Sequence, residues 1–118
     1  MADETTDVVV CSVRELDSSG SRGFAIGTDD WPLRGLVLRD ATGRVQAYLD
    51  RCPHAGHPLA LKDHEFLTRD RAFIKCASHG ALFALDTGVC VAGPCPGRSL
   101  QRLQVRVDGE DVRIASPV

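Results

Sequence analysis

Thiolate and imidazole ligands are scarce in this chain, five cysteines and four histidines in 118 residues, and they are unevenly placed. Two stretches hold most of them: Cys52-Pro53-His54-Ala55-Gly56-His57-Pro58-Leu59 and Cys76-Ala77-Ser78-His79-Gly80-Ala81-Leu82-Phe83. Each offers a thiolate paired with an imidazole, as Cys-x-His in the first and Cys-x-x-His in the second. Two cysteines and two histidines on paired loops suit either a tetrahedral zinc ion or a [2Fe–2S] cluster with imidazoles on one iron. A zinc hairpin typically opens with two ligands of one kind, roughly two to four residues apart, and follows with a second like pair. Here each loop is mixed, and one residue separates the first pair, so the spacing favours the cluster.

With those residues in hand, the stretch resembles the Rieske iron–sulfur family, whose motif is Cys-x-His followed by Cys-x-x-His. The resemblance extends to Pro53, Gly56 and Pro58-Leu59 in the first loop, His79-Gly80 in the second, the Asp86-Thr87-Gly88 turn and the Gly93-Pro94 element. It implies that Cys52 and Cys76 ligate one iron, which stays ferric, and that His54 and His79 ligate the outer, reducible iron. Neutral imidazoles in place of two thiolates leave such a cluster more positive and raise its potential above that of plant-type ferredoxins. The family's high-potential branch carries an extra cysteine in each loop, joined as a disulfide; His57 and Ser78 stand at those positions here. That branch also has a serine and a tyrosine that donate hydrogen bonds to cluster sulfurs. Ala81 and Phe83 match them and cannot donate. The resemblance therefore implies a ferredoxin-type centre near the low end of the Rieske range, about −150 mV.

By the same resemblance, the chain is an electron carrier and no enzyme, taking electrons from a flavin-dependent reductase and passing them to an oxygenase. Two alternatives stay open. One is a small Rieske subunit of a larger oxidoreductase; the other is a zinc-binding structural module or redox sensor. A catalytic oxygenase subunit would need a further site of two histidines and a carboxylate, and only His57 and His64 are left to build it. One departure from compact members of the family is the 21 residues between His54 and Cys76. The excess falls around Lys62 to Arg71, where a longer loop costs little closure entropy and could build a distinct partner surface.

Composition narrows the setting. The length suits one domain, with 43% hydrophobic and 25% charged residues. A net charge of −2 gives no case for nucleic acid or an anionic membrane. No apolar run approaches the roughly 20 residues of a membrane helix, and the acidic start Met1-Ala2-Asp3-Glu4 lacks the basic opening of a signal peptide. The odd cysteine count fits a reducing, cytoplasmic compartment better than a disulfide framework. Cys11 reads as core, Cys90 and Cys95 as buried thiols with a disulfide or redox pair as the alternative. His57 reads as a loop residue, His64 as solvent-facing, Trp31 and Tyr48 as packing residues. Arginines 69, 71, 98, 102, 106 and 113 read as solvated strand faces.

Short β-rich runs separated by turn residues must position the two loops. Strands are expected at 8–11, 23–26, 36–40, 45–49, 72–75, 82–85, 89–92, 103–107 and 112–114. Turns fall at 41–44, 86–88 and 108–109, while 14–16 reads as a strand-edge turn and 17–21 as a loop. Residues 58–66 lack alternation and read as a helical turn or a plain crossover, and 93–97 as a rigid lid loop. The pattern predicts an all-β antiparallel sandwich or barrel without a long helix. The resemblance divides this single domain, 1–118, into a base from 1–49 and 96–118 and a small inserted cluster-binding subdomain at 50–95.

Overall fold

A computed structural model describes residues 6–26, 33–51, 66–76, 80–93 and 98–116. Among these residues the fold is antiparallel β, as expected, with one short helix: β1 (Thr6–Ser12), α1 (Val13–Ser19), β2 (Ser21–Ile26), β3 (Leu33–Arg39), β4 (Val45–Leu49), β5 (Phe73–Lys75), β6 (Leu82–Ala84), β7 (Cys90–Ala92), β8 (Arg102–Leu103), β9 (Val105–Asp108) and β10 (Asp111–Ser116). They form three sheets, ordered β1-β10-β9, β2-β3-β4-β8 and β5-β6-β7.

The middle sheet explains how the others are held. Along β3, Leu36, Val37 and Leu38 are all fully buried, without the alternation of a half-exposed strand. Their side chains point to opposite faces, since successive residues of a strand alternate. Leu36 and Leu38, with Tyr48 of β4, join a core containing Ile74, Cys76, Ala81, Phe83, Leu85 and Cys90 of the β5-β6-β7 side. Val37 and Ala47, with Leu103 of β8, join a second core containing Cys11, Leu16, Val112 and Ile114. A sheet covered on both faces reads as a continuous apolar run. One sheet is therefore the common wall of two cores.

Two sequence expectations are corrected. The strand-edge turn expected at 14–16 and most of the loop expected at 17–21 instead form α1 (Val13–Ser19): the Ser12 hydroxyl accepts from the Glu15 amide, and the Glu15 carboxylate accepts from the Ser12 amide. This reciprocal capping box outweighs a short helix's weak propensity, and Gly20 in the left-handed region ends it. The single strand expected at 103–107 is split at Gln104, with β8 pairing to β4 and β9 to β10. The chain changes sheet there, while Leu103 and Val105 on either side of the split both face the second core.

Candidate metal-binding loop

Of the four expected ligands, Cys76 is among the described residues; Cys52, His54 and His79 lie outside them, as do His57, His64, Trp31 and Cys95. Cys76 directly follows β5 and is fully buried. β5 pairs with β6 in the register Phe73↔Ala84, Ile74↔Phe83, Lys75↔Leu82, so Cys76 and Ala81 face each other where the ladder opens into the loop. Two backbone hydrogen bonds close the loop's neck: the Cys76 amide donates to the Ala81 carbonyl and the Gly80 amide to the Cys76 carbonyl, both at 2.9 Å. Gly80 has φ +74°, which suits a return toward β6.

The neck is also pressed from a third side. At Gly93, which follows β7, a Cβ would lie 2.7 Å from the Ala81 Cα and 3.2 Å from its nitrogen, and φ is +102°. A glycine here lets the start of the 93–97 loop touch the backbone of the second ligand loop. Pro94 to Gly97, the remainder of the expected lid, lies outside the described residues. The side chains around Cys76 are apolar and buried: Ile74, Ala81 and Phe83. Ala81 and Phe83 thus present no hydroxyl in this core.

A buried thiol at a pre-closed loop neck, walled by apolar side chains, is the environment in which a thiolate-ligated iron–sulfur centre is shielded from water. The donor chemistry of the chain fits such a group, Cys76 with Cys52 and the two motif histidines. When bound, a [2Fe–2S] centre supplies one-electron redox chemistry; the chain's residues fix the loop and exclude solvent. The remaining thiols serve differently. Burial and the neighbouring Glu15 carboxylate push the Cys11 thiol up to about 11, consistent with a core residue. The Cys90 thiol donates to the Ala92 carbonyl at 3.2 Å. Among the described residues, no group of three or more His, Cys, Asp or Glu stands together as a metal site.

The hairpin that carries the neck is fastened to the middle sheet by residues whose polar roles sequence reading missed. The Tyr48 hydroxyl donates to the Leu85 carbonyl at 2.8 Å across the shared core. Gly88 lies flat on its ring: a Cβ there would sit 2.7 Å from Tyr48 Cε1. The Arg102 guanidinium lies 5.5 Å from the Tyr48 ring centroid and donates to the Gln46 side chain and the Asp86 carbonyl. The Asp86-Thr87-Gly88 turn is thereby clamped from above and below. A tyrosine in an otherwise buried strand was the available signal, because its hydroxyl needs a partner.

An antiparallel β domain whose β5–β6 hairpin ends in a buried cysteine of a Cys-x-x-His motif is compatible with a metal- or cluster-binding class. The profile of the Rieske [2Fe-2S] domain matches residues 6–113, and the chain belongs to that family. Membership implies a [2Fe–2S] cluster. Among solved structures, the chain is similar to the ferredoxin of carbazole 1,9a-dioxygenase from Nocardioides aromaticivorans IC177, with 26% identity over 93% of this chain and 97% of that one and a TM-score of 0.68. It is similar to the Sphingomonas yanoikuyae B1 ferredoxin at 20% identity over 95% and 100% of the two chains, TM-score 0.67. The terminal oxygenase of carbazole 1,9a-dioxygenase from Novosphingobium sp. KA1 shares the fold at 23% identity and TM-score 0.72, over 92% of this chain but 29% of that one. No curated protein matches the chain in sequence. No helix among the described residues is long and apolar enough to cross a membrane.

Proposed function

We propose that this protein is a one-electron carrier of the Rieske ferredoxin type. In it Cys52 and Cys76 hold one iron of the cluster and His54 and His79 the other. The observation that carries the reading is the family match across 6–113, joined to a fully buried Cys76 at a backbone-closed loop neck. An electron carrier is favoured over a catalyst by the end-to-end likeness to a ferredoxin, against coverage of 29% of the oxygenase chain. The names of those similar proteins support an oxygenase as the electron acceptor; a flavin-dependent reductase as donor follows from the family's usual chemistry.

The same reading sets a low potential. Ala81 and Phe83 are fully buried and have no hydroxyl to offer the cluster sulfurs, so the more negative reduced state gains no such hydrogen bonds. It also divides the chain into a base, 1–49 and 96–118, and a cluster-binding unit, 50–95. The separate β5-β6-β7 sheet and the two cores on opposite faces of the middle sheet support this division.

The test is a visible absorption spectrum of aerobically purified protein, followed by low-temperature EPR after dithionite reduction. A red-brown protein giving the low average g value of a histidine-ligated [2Fe–2S] centre is expected. A colourless, EPR-silent protein containing stoichiometric zinc would end the carrier reading.

A further inference from the structure

Away from the Cys76 loop, at the other end of the β5–β6 ladder, the two cores meet around a cavity of ≈ 450 Å³. It is lined by α1 and its cap (Leu16, Asp17, Gly20), by the end of β3 and the turn after it (Arg39, Asp40, Ala41), by the crossover before β5 (Leu67, Arg71, Ala72) and by Leu85. Leu16 belongs to one core and Leu85 to the other, with Leu67 packed against the latter. Half of the lining residues are aliphatic, and the volume lies in the range of small-molecule sites, about 300–1,000 Å³.

The charges around it are unequally committed. The Asp40 carboxylate is consumed within its own turn, accepting from the Thr42 amide and hydroxyl, the Arg44 amide and the Gln46 side chain. Asp17 accepts from Arg39, which also donates to the Gly43 carbonyl. Arg71 differs: its guanidinium donates to the neutral Ser18 carbonyl, at 3.3 Å, and no carboxylate among the described residues pairs with it. The turn that carries it is built to hold it there. The Thr68 hydroxyl and Asp70 carboxylate accept from the Ala72 amide and the Thr68 hydroxyl also accepts from the Phe73 amide, while Arg71 itself sits at φ 60°, an unusual conformation for a side chain of that size. Its side chain runs across Gly20, where a Cβ would meet Arg71 Nε at 3.0 Å.

We propose that this cavity binds a small amphipathic carboxylate, its apolar body against Leu67, Ala41 and Ala72 and its carboxylate on Arg71. A guanidinium matches a carboxylate bidentately, and the aliphatic half of the lining favours an anion with an apolar body over a bare inorganic one. The bound molecule bridges the crossover before β5 and the turn after β3. This site is distinct from the cluster loop and does not depend on the electron-transfer reading.

The test is an NMR titration of the ¹⁵N-labelled holoprotein with octanoate, with octan-1-ol and acetate as apolar-only and charge-only controls. Saturable shifts confined to the amides of Leu16, Gly20, Ala41, Leu67, Ala72 and Leu85 are expected, with both controls at least about tenfold weaker. Arg71→Met should weaken octanoate by about tenfold or more. Ala41→Trp, a substitution at an exposed lining residue that fills the mouth and spares the arginines, should abolish the shifts. Each variant is first shown to keep the cluster's visible spectrum. Octan-1-ol binding as well as octanoate, Arg71→Met binding unchanged, shifts lying elsewhere or no saturable shift would each overturn the proposal.

Discussion

Tyr48→Phe removes one oxygen atom from the most deeply shared position in the molecule, and its consequence can be worked from the contacts. The Tyr48 side chain is fully buried, and its hydroxyl gives the Leu85 carbonyl a partner at 2.8 Å. Phenylalanine keeps the ring, its packing on Leu36 and Leu38 and its contact with Gly88, so little cavity forms. What remains is a largely buried carbonyl without that donor, at a cost of about 1–2 kcal/mol. In a domain of this size each kcal/mol moves the midpoint by roughly 3–6 °C, so Tm should fall by roughly 3–12 °C. Urea unfolding should show a lower midpoint with an unchanged slope, since the exposed surface on unfolding is the same. The visible cluster spectrum at room temperature should stay as in the parent, because the lost bond lies at the far end of the hairpin from Cys76. A midpoint change below about 0.3 kcal/mol would refute the reasoning, showing that the hydrogen bond makes no net contribution. A slope change would locate the effect in the unfolded chain instead.

Other outcomes follow from the same contacts. Cys76→Ser should abolish the native cluster while His57→Ala leaves it intact, read by iron content and visible absorption; cluster loss in the His57 variant would overturn the choice of ligands. Gly93→Ala should speed cluster loss to a chelator while circular dichroism stays β-rich, because the new Cβ would overlap the Ala81 backbone and φ is +102°. Asp40 is held down to about 2, first by the Thr42 hydroxyl and then by Gln46 and the backbone amides. Its folded pKa lies below its unfolded value of about 3.9, so its stabilisation is complete above that value and is lost as pH falls toward about 2. Urea unfolding across that window should therefore be steeper in pH for the parent than for Asp40→Asn, with the variant less stable at neutral pH.

Much of this was legible in the sequence. The Cys-x-His and Cys-x-x-His spacing announced the family, and alternating runs with turn residues announced the strands. The helix was missed although Ser12-Val13-Arg14-Glu15 is a capping-box pattern, because seven residues (13–19) are too few for apolar periodicity to show. The split at Gln104 was hidden for another reason: alternation reports the face a side chain takes and says nothing about which sheet it joins. The arginines at 71 and 102 are exposed, as their reading as solvated faces expects, but one also donates to a helix carbonyl and the other also lies over a buried ring. Composition cannot distinguish these, since a guanidinium's partners here come from 53 and 16–56 residues away in the chain.

The unbroken run Leu36-Val37-Leu38 carried the most architectural information of any three residues. Alternation would have meant one wetted face; its absence means both faces of β3 are covered, one by the hairpin layer and one by the base. That arrangement bears on how the cysteine loop is held. Cys76 and Ala81 sit at the open end of a three-residue ladder, too short to be stable alone. Its rigidity must come from outside: from Leu36, Leu38 and Tyr48 beneath it, from Arg102 and Gly88 at the turn, and from Gly93 against the neck. The neck at Cys76 and Ala81 is therefore positioned by the middle sheet.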